Sequence, residues 1–124
     1  MKPTKSVWAE LPVDRPMAKL DRRRVIGAQA MISLVRLERG CMVPMHEHAN
    51  EQFACVLSGR LRFTLGTPAG GVADGAKVVE VGAGEVMHLP GGVPHAAEAI
   101  ETTEVLDVFS PPSEKTGIDQ ISKR

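Results

Sequence analysis

The chain has four histidines, and two of them, His46 and His48, stand two residues apart. Alternate side chains of a β-strand leave the same face, so this spacing sends two imidazoles to one side as a chelating pair. Glu51 and Gln52 open the next apolar run. If that run pairs antiparallel through a short turn at Ala49-Asn50, one of the two comes level with the histidines. Gln52 shares parity with Ala54 and Val56, Glu51 with Phe53, Cys55 and Leu57. Both faces are apolar, and periodicity leaves the choice open. His95 follows the turn Pro90-Gly91-Gly92-Val93-Pro94, and its alternate neighbours Ala97 and Ala99 are small enough to leave space inside a barrel. A single strand histidine is more often a surface or core residue than a ligand. Three imidazoles with one oxygen donor, however, form a shell for a first-row transition metal with positions left for substrate or water.

The elements that must position these groups read as short strands. In Arg60–Leu65 the apolar Leu61, Phe63 and Leu65 alternate with Arg60, Arg62 and Thr64, and a similar alternation runs from Met31 to Gly40. Twelve glycines and nine prolines punctuate the chain, and about eight short strands fit between residues 24 and 110. The intervals leave no room for crossover helices, which excludes a parallel α/β sheet and predicts an all-β sandwich or small barrel. Residues 1–23, with Pro3, Pro12, Pro16 and no helical period, read as an extended arm anchored by Trp8 and able to reach a partner subunit. Arg22-Arg23-Arg24 reads as a solvated strand edge. Thr67–Ala76 has the composition of a hairpin tip, and residues 113–124 read as a polar tail that docks as a turn or short helix. The barrel itself is assigned to residues 24–112.

At 124 residues one domain is expected. Fifteen basic against fifteen acidic residues give no net charge, so the electrostatic footprint of a nucleic-acid binder is missing. No apolar run approaches the roughly 18 residues of a membrane helix, and no secretory signal is visible at the N-terminus. The expected setting is the cytoplasm, with Cys41 and Cys55 reduced. With no Tyr, one Trp and three Phe, stacking partners for planar aromatic ligands are scarce.

The spacings resemble those of a known family. Gly40, five residues, His46-Glu47-His48, three residues, Gln52, six residues, Gly59 is similar to the first motif of the cupin superfamily, with Gln where Glu is commoner. Gly84, five residues, Pro90-Gly91-Gly92, two residues, His95 is similar to its second motif. The resemblance implies a double-stranded β-helix, or jelly-roll, barrel that is usually a homodimer. It also implies a divalent transition metal (Ni, Zn, Mn or Fe) held by His46, His48, Gln52 and His95, which selects Gln52 over Glu51. Four neutral donors leave the ion its full charge in a cavity of low dielectric, which favours an anionic ligand.

A narrower resemblance joins His46–Gln52, Val56–Gly59 and Asp107–Pro111 to cupins that linearise unsaturated uronates in pectin and alginate breakdown. In that group an Asp and a Phe of the last strand face the metal, which here implies Asp107 as proton carrier and Phe109 as a substrate contact. The Arg that follows in that group is absent, with Ser113 and Glu114 near its place. Asp107 could otherwise be a strand-end carboxylate paired with Arg36 or Arg62. His88 is expected to orient the site or contact substrate, the alternative being a core residue that fills space. The leading reading is non-redox proton transfer, of isomerase or lyase type, on a small anion such as a sugar acid. The alternatives are a metal-dependent dioxygenase and a non-catalytic ligand sensor.

Overall fold

A computed structural model describes residues 2–66 and 77–112. The expected hairpin tip at 67–76 and tail at 113–124 lie outside the described residues. One 3₁₀ turn, Trp8–Glu10, precedes ten strands: β1 (Asp14–Met17), β2 (Leu20–Ile26), β3 (Met31–Leu37), β4 (Met42–His46), β5 (Glu51–Ser58), β6 (Arg60–Leu65), β7 (Lys77–Gly82), β8 (Val86–Leu89), β9 (His95–Ala99) and β10 (Thr103–Ser110). They form a six-stranded sheet in the order β1-β2-β3-β10-β5-β8 and a four-stranded sheet in the order β4-β9-β6-β7. Every pairing is antiparallel. This is a jelly-roll of a single domain.

Its core lies between the sheets. Leu61 and Phe63, the inward positions of β6, are 2% and 3% exposed and meet Leu20, Val35 and Val105 from the opposite sheet. Burying each such side chain contributes roughly 1.5–3 kcal/mol. Chain crossings between the sheets are tight. Gly59 joins β5 to β6 at φ +88, where a Cβ would fall 2.4 Å from the Thr102 carbonyl oxygen; only glycine fits that conformation at that distance.

Three expectations change. Half of the expected N-terminal arm belongs to the barrel, because β1 and most of β2 precede residue 24 and pair within the chain's own sheet. Pro16 obscured this: a proline is compatible with a strand at the sheet edge, where one side of the backbone needs no partner. The basic cluster is not simply a solvated edge. Arg22 shares the inward face of β2 with Leu20, is 4% exposed, and donates from Nε and Nη2 to the Asp14 carboxylate at 3.1 and 2.7 Å. Finally, β4 and β5 do not form a hairpin. They belong to different sheets, and residues 47–50 carry the chain across the barrel.

Candidate metal centre

That crossing brings the histidines together from two sides. His46 ends β4 and His95 begins β9; they are register partners in the four-stranded sheet, with ring centroids 4.3 Å apart. His48 lies beyond the end of β4, in the crossing segment rather than in the strand expected to carry both. Its ring still faces the others, with centroids 5.9 Å from His46 and 5.1 Å from His95. The β4–β9 ladder is irregular between Val43 and His46, at Pro44, which has no N–H to give. Gly91 lets the turn after β8 approach the crossing segment: a Cβ there would fall 2.4 Å from the Ala49 carbonyl oxygen. The Gly92 N–H then donates to the His48 carbonyl at 2.9 Å, fixing the backbone that carries this imidazole.

Hydrogen bonds set all three rings to one tautomer. The Nδ1–H of His46 donates to the Pro44 carbonyl at 2.8 Å, that of His48 to the Asn50 carbonyl at 2.9 Å, and that of His95 to the Val93 carbonyl at 2.9 Å. A carbonyl oxygen only accepts, so Nδ1 carries the proton and each neutral ring presents a bare Nε2. Burial favours the neutral form: it lowers the His46 pKa, and it pushes His95 down to about 4, aided by the neighbouring His46. The donor atoms all lie within 4.8 Å of one another. Nitrogens bonded to one ion at about 2.1 Å in tetrahedral geometry are about 3.4 Å apart, so the widest-spaced rings close by about 1 Å or somewhat more to share one ion.

Gln52 and Asp107 complete the inner wall from the six-stranded sheet. Gln52 on β5 and Phe109 on β10 are register partners, and Asp107 lies two residues before Phe109 on the same face. All three are buried, at 8%, 5% and 7% exposure. Gln52 Nε2–H donates to Asp107 Oδ1 at 2.9 Å, which turns its Oε1 toward His48 Nε2 at 3.1 Å. With His48 in the neutral Nδ1–H tautomer both of those facing atoms carry lone pairs, and they repel unless a positive centre lies beside them: a second ring proton, donated to Oε1, or a bound cation. The donor set therefore fits a metal. Phe109 closes the wall with its ring edge to His48, centroids 5.7 Å apart.

Asp107 is paired with neither Arg36 nor Arg62. Burial raises its carboxyl to about 7, while the Gln52 hydrogen bond and the charge of Arg22 act in the opposite sense. These groups line a cavity of about 40 Å³, room for an ion with a few small ligands, since one water needs about 10–15 Å³.

His88 lies elsewhere. It is the register partner of Phe53 on the outer face of the six-stranded sheet, stacks on that ring at 4.6 Å, and meets Glu51 Oε2 at 2.7 Å. Its expected site role is corrected by parity: its neighbour Leu89 takes the inward position at 1% exposure. Three buried polar residues escaped the sequence reading. Asn50 holds His48 through its carbonyl and donates from its side chain to the Pro111 carbonyl. Ser33 sits opposite Asp107 across β3–β10, its hydroxyl without a hydrogen-bond partner among the described residues. Arg22 is the third. Ser33 shares the inward parity of Met31 and Val35, and Arg22 that of Leu20, so alternation carried a signal for both.

A two-sheet barrel that gathers three imidazoles in one interior cavity defines a class, the small β-barrel with an enclosed cluster able to hold a metal. Within it the chain belongs to the cupin family: the family described as Cupin domain matches residues 33–109. A protein of Streptomyces coelicolor is 33% identical over 82 residues, which cover 65% of this chain and 70% of that one. Among solved structures, KdgF from a Halomonas species superposes with a TM-score of 0.78 at 20% identity, covering 91% of this chain and 97% of its own. An RmlC-like cupin from Shewanella frigidimarina gives 0.73 at 21% identity over 91% and 95%. Oxalate decarboxylase from Bacillus subtilis gives 0.76 at 22% identity, with 94% of this chain matching a third, 33%, of that longer one. At such identities the structural likeness speaks for the fold. No helix among the described residues is long and apolar enough to cross a membrane.

Proposed function

We propose that this cupin is a metal-dependent enzyme of non-redox proton transfer, isomerising a small anionic sugar acid of the unsaturated uronate class. In this reading His46, His48, His95 and Gln52 Oε1 hold a divalent ion among Ni, Zn, Mn and Fe. The metal supplies Lewis-acid polarisation of a substrate oxygen. Asp107 carries the proton, and the observation that carries the proposal is this carboxyl buried in the wall beside the imidazoles with its pKa near neutrality. Burial raises this carboxyl's affinity for a proton, while the positive charge of a bound ion would act in the opposite sense; that balance suits a group that acts as base and then as acid. In ring opening it takes the proton of the hemiacetal hydroxyl as the ring C–O bond breaks. The ring oxygen leaves as an enolate, and Asp107 returns the same proton to its carbon as it becomes a ketone, so the product is an isomer of the substrate. Phe109 packs the substrate and screens this exchange from water. The neutral donor set selects an anion, and the Bacillus subtilis relative is itself named for a small dianion, oxalate, and for Mn(II) centres.

The test is metal-loaded protein with unsaturated uronates. Loss of the absorbance of the conjugated double bond without oxygen uptake is the expected result. Oxygen consumption would replace proton transfer by a dioxygenase, and uronate recovered bound but unaltered would make the protein a sensor.

The proposal includes a homodimer. The outer face of the six-stranded sheet presents Leu34, Leu106 and Val108 half-buried and Phe53, Leu57 and Val86 exposed. Six strands about 4.8 Å apart, four to eight residues long, outline on the order of 500 Å² in projection, of the same order as the roughly 800 Å² of surface that each partner buries in a stable pair. At one end Asp21, Arg23, Arg36 and Glu104 line a hollow of about 140 Å³, and the buried Arg23 Nε has no partner among the described residues. With Arg22 also in its lining, the hollow carries charges of both signs, which suits a second copy related by a two-fold axis. Sedimentation equilibrium should give a dimer and the double variant Phe53→Asp, Leu57→Asp a monomer; a monomeric parent overturns it.

A further inference from the structure

The orientation of a carboxamide is ordinarily ambiguous, because its two ends have nearly the same shape and opposite hydrogen-bonding character. At Gln52 an ionised Asp107, which can only accept, selects one orientation. Nε2 lies 2.9 Å from Asp107 Oδ1, and Oε1 lies 3.1 Å from His48 Nε2. The other ring nitrogen of His48 is already committed to the Asn50 carbonyl at 2.9 Å. The sequence of groups is therefore directional: carbonyl, imidazole, carboxamide, carboxylate. The carbonyl at one end and the carboxylate at the other each demand a donor, and each turns a lone pair toward the centre. Were the carboxamide reversed, Nε2–H would face the imidazole cluster and occupy His48 Nε2 as a hydrogen-bond donor, removing two metal-binding atoms together.

We infer that Asp107 is a positioning residue for the metal: its carboxylate accepts from Gln52 Nε2 and so holds Oε1, rather than the amide N–H, toward the ion. This rests on the reading of His46, His48, His95 and Gln52 as the metal shell, and it adds a binding role to the proton-transfer role already assigned to Asp107. It also gives a reason for a neutral amide at this position. A carboxylate presents an acceptor oxygen whichever way it turns and needs no such lock, whereas Gln serves as a ligand only when its orientation is imposed.

Zn²⁺ affinity, measured by competition with a chromophoric chelator, tests this without any substrate. Asp107→Leu keeps the branching of the side chain, removes the acceptor and leaves no room for water; Asp107→Ala is the second variant should Leu compromise folding. Partners that orient metal ligands typically contribute ~10- to 100-fold in affinity, and a loss in that range is expected for both variants. Asp107→Asn retains an acceptor oxygen and is expected to bind within ~3-fold of the parent, since a preserved orienting partner preserves the ligand. Gln52→Glu is expected to restore binding in the Asp107→Leu background, and to gain more there than in the parent. A parent that takes up no Zn²⁺ would sink the metal reading itself. A parent that binds while Asp107→Leu and Asp107→Ala bind equally well would overturn only this inference. A folded Asp107→Leu that binds weakly and is not rescued by Gln52→Glu would also overturn it, by assigning the loss to packing.

Discussion

Alanine in place of His95 is expected to weaken Zn²⁺ binding by ~10²-fold or more, beyond the range for residues that merely orient a ligand. His95 faces His46 across the β4–β9 ladder, and no other described side chain in the cluster can reach the vacated position as a third imidazole. The same variant should gain stability in acid when the protein is metal-free. In the folded chain burial pushes the His95 pKa down to about 4 from 6.5. Between those values the unfolded state binds the proton and the folded state does not, so the parent loses stability as pH falls through this window. A shift of this size corresponds to on the order of 3 kcal/mol. Urea unfolding of metal-free protein at pH 7 and pH 4 should show His95→Ala losing less than the parent over that interval. The two outcomes have opposite signs, one a loss of binding and the other a gain of acid stability. That combination separates a ligand held at a cost to the fold from an ordinary core histidine, whose removal would lower stability at both pH values and leave Zn²⁺ uptake unchanged.

The sequence exposed those parts of the fold in which one face is buried and the other wet. Leu61, Phe63 and Leu65 alternate cleanly with Arg60, Arg62 and Thr64, and β6 forms with Leu61 and Phe63 inward. In β5 alternation failed to choose between Glu51 and Gln52, and the physical reason is now visible: Phe53, Cys55 and Leu57 make the outer face as apolar as the inner one. Only the family spacing selected Gln52, and its inward position agrees with that choice. His88 misled for a related reason, since β8 offers just four residues in which to read a parity. The first two strands were hidden by Pro16 and by three consecutive arginines. A buried, paired Arg22 cannot be told from an exposed one without knowing that Asp14 lies opposite it in register. The pairing of β4 with β9 rather than with β5 is a long-range choice, and no local spacing records it. The imidazoles were nevertheless identified correctly as a group, because chain crossing and hairpin both bring residues 46 and 48 to the barrel interior.

Asp107→Asn isolates the carboxyl on which the proposed chemistry depends, and its largest effect is predicted on the metal-free protein. The Asp107 pKa rises from 3.8 to about 7 on folding, chiefly through burial. Below 3.8 the group is protonated in both states and adds no difference. From there to about 7 the folded state holds a proton that the unfolded state has released, so the parent loses stability as pH rises through the window, by on the order of 4 kcal/mol in all. Asparagine has nothing to ionise and keeps an oxygen that accepts from Gln52 Nε2. The stability difference between variant and parent should therefore be near zero at pH 4, grow through pH 5 and 6, and level off above about 7, as read from urea midpoints. A difference that does not vary with pH would mean that Asp107 titrates as an ordinary carboxyl, and would remove it as a proton carrier. With Zn²⁺ bound, the same substitution is expected to reduce uronate turnover by ~10²- to 10⁴-fold, the usual contribution of a positioned acid or base. Because the ion stays in place, that loss falls on the chemical step. The carboxylate thus costs the empty barrel stability at neutral pH, and the proposed proton exchange would account for its being kept there.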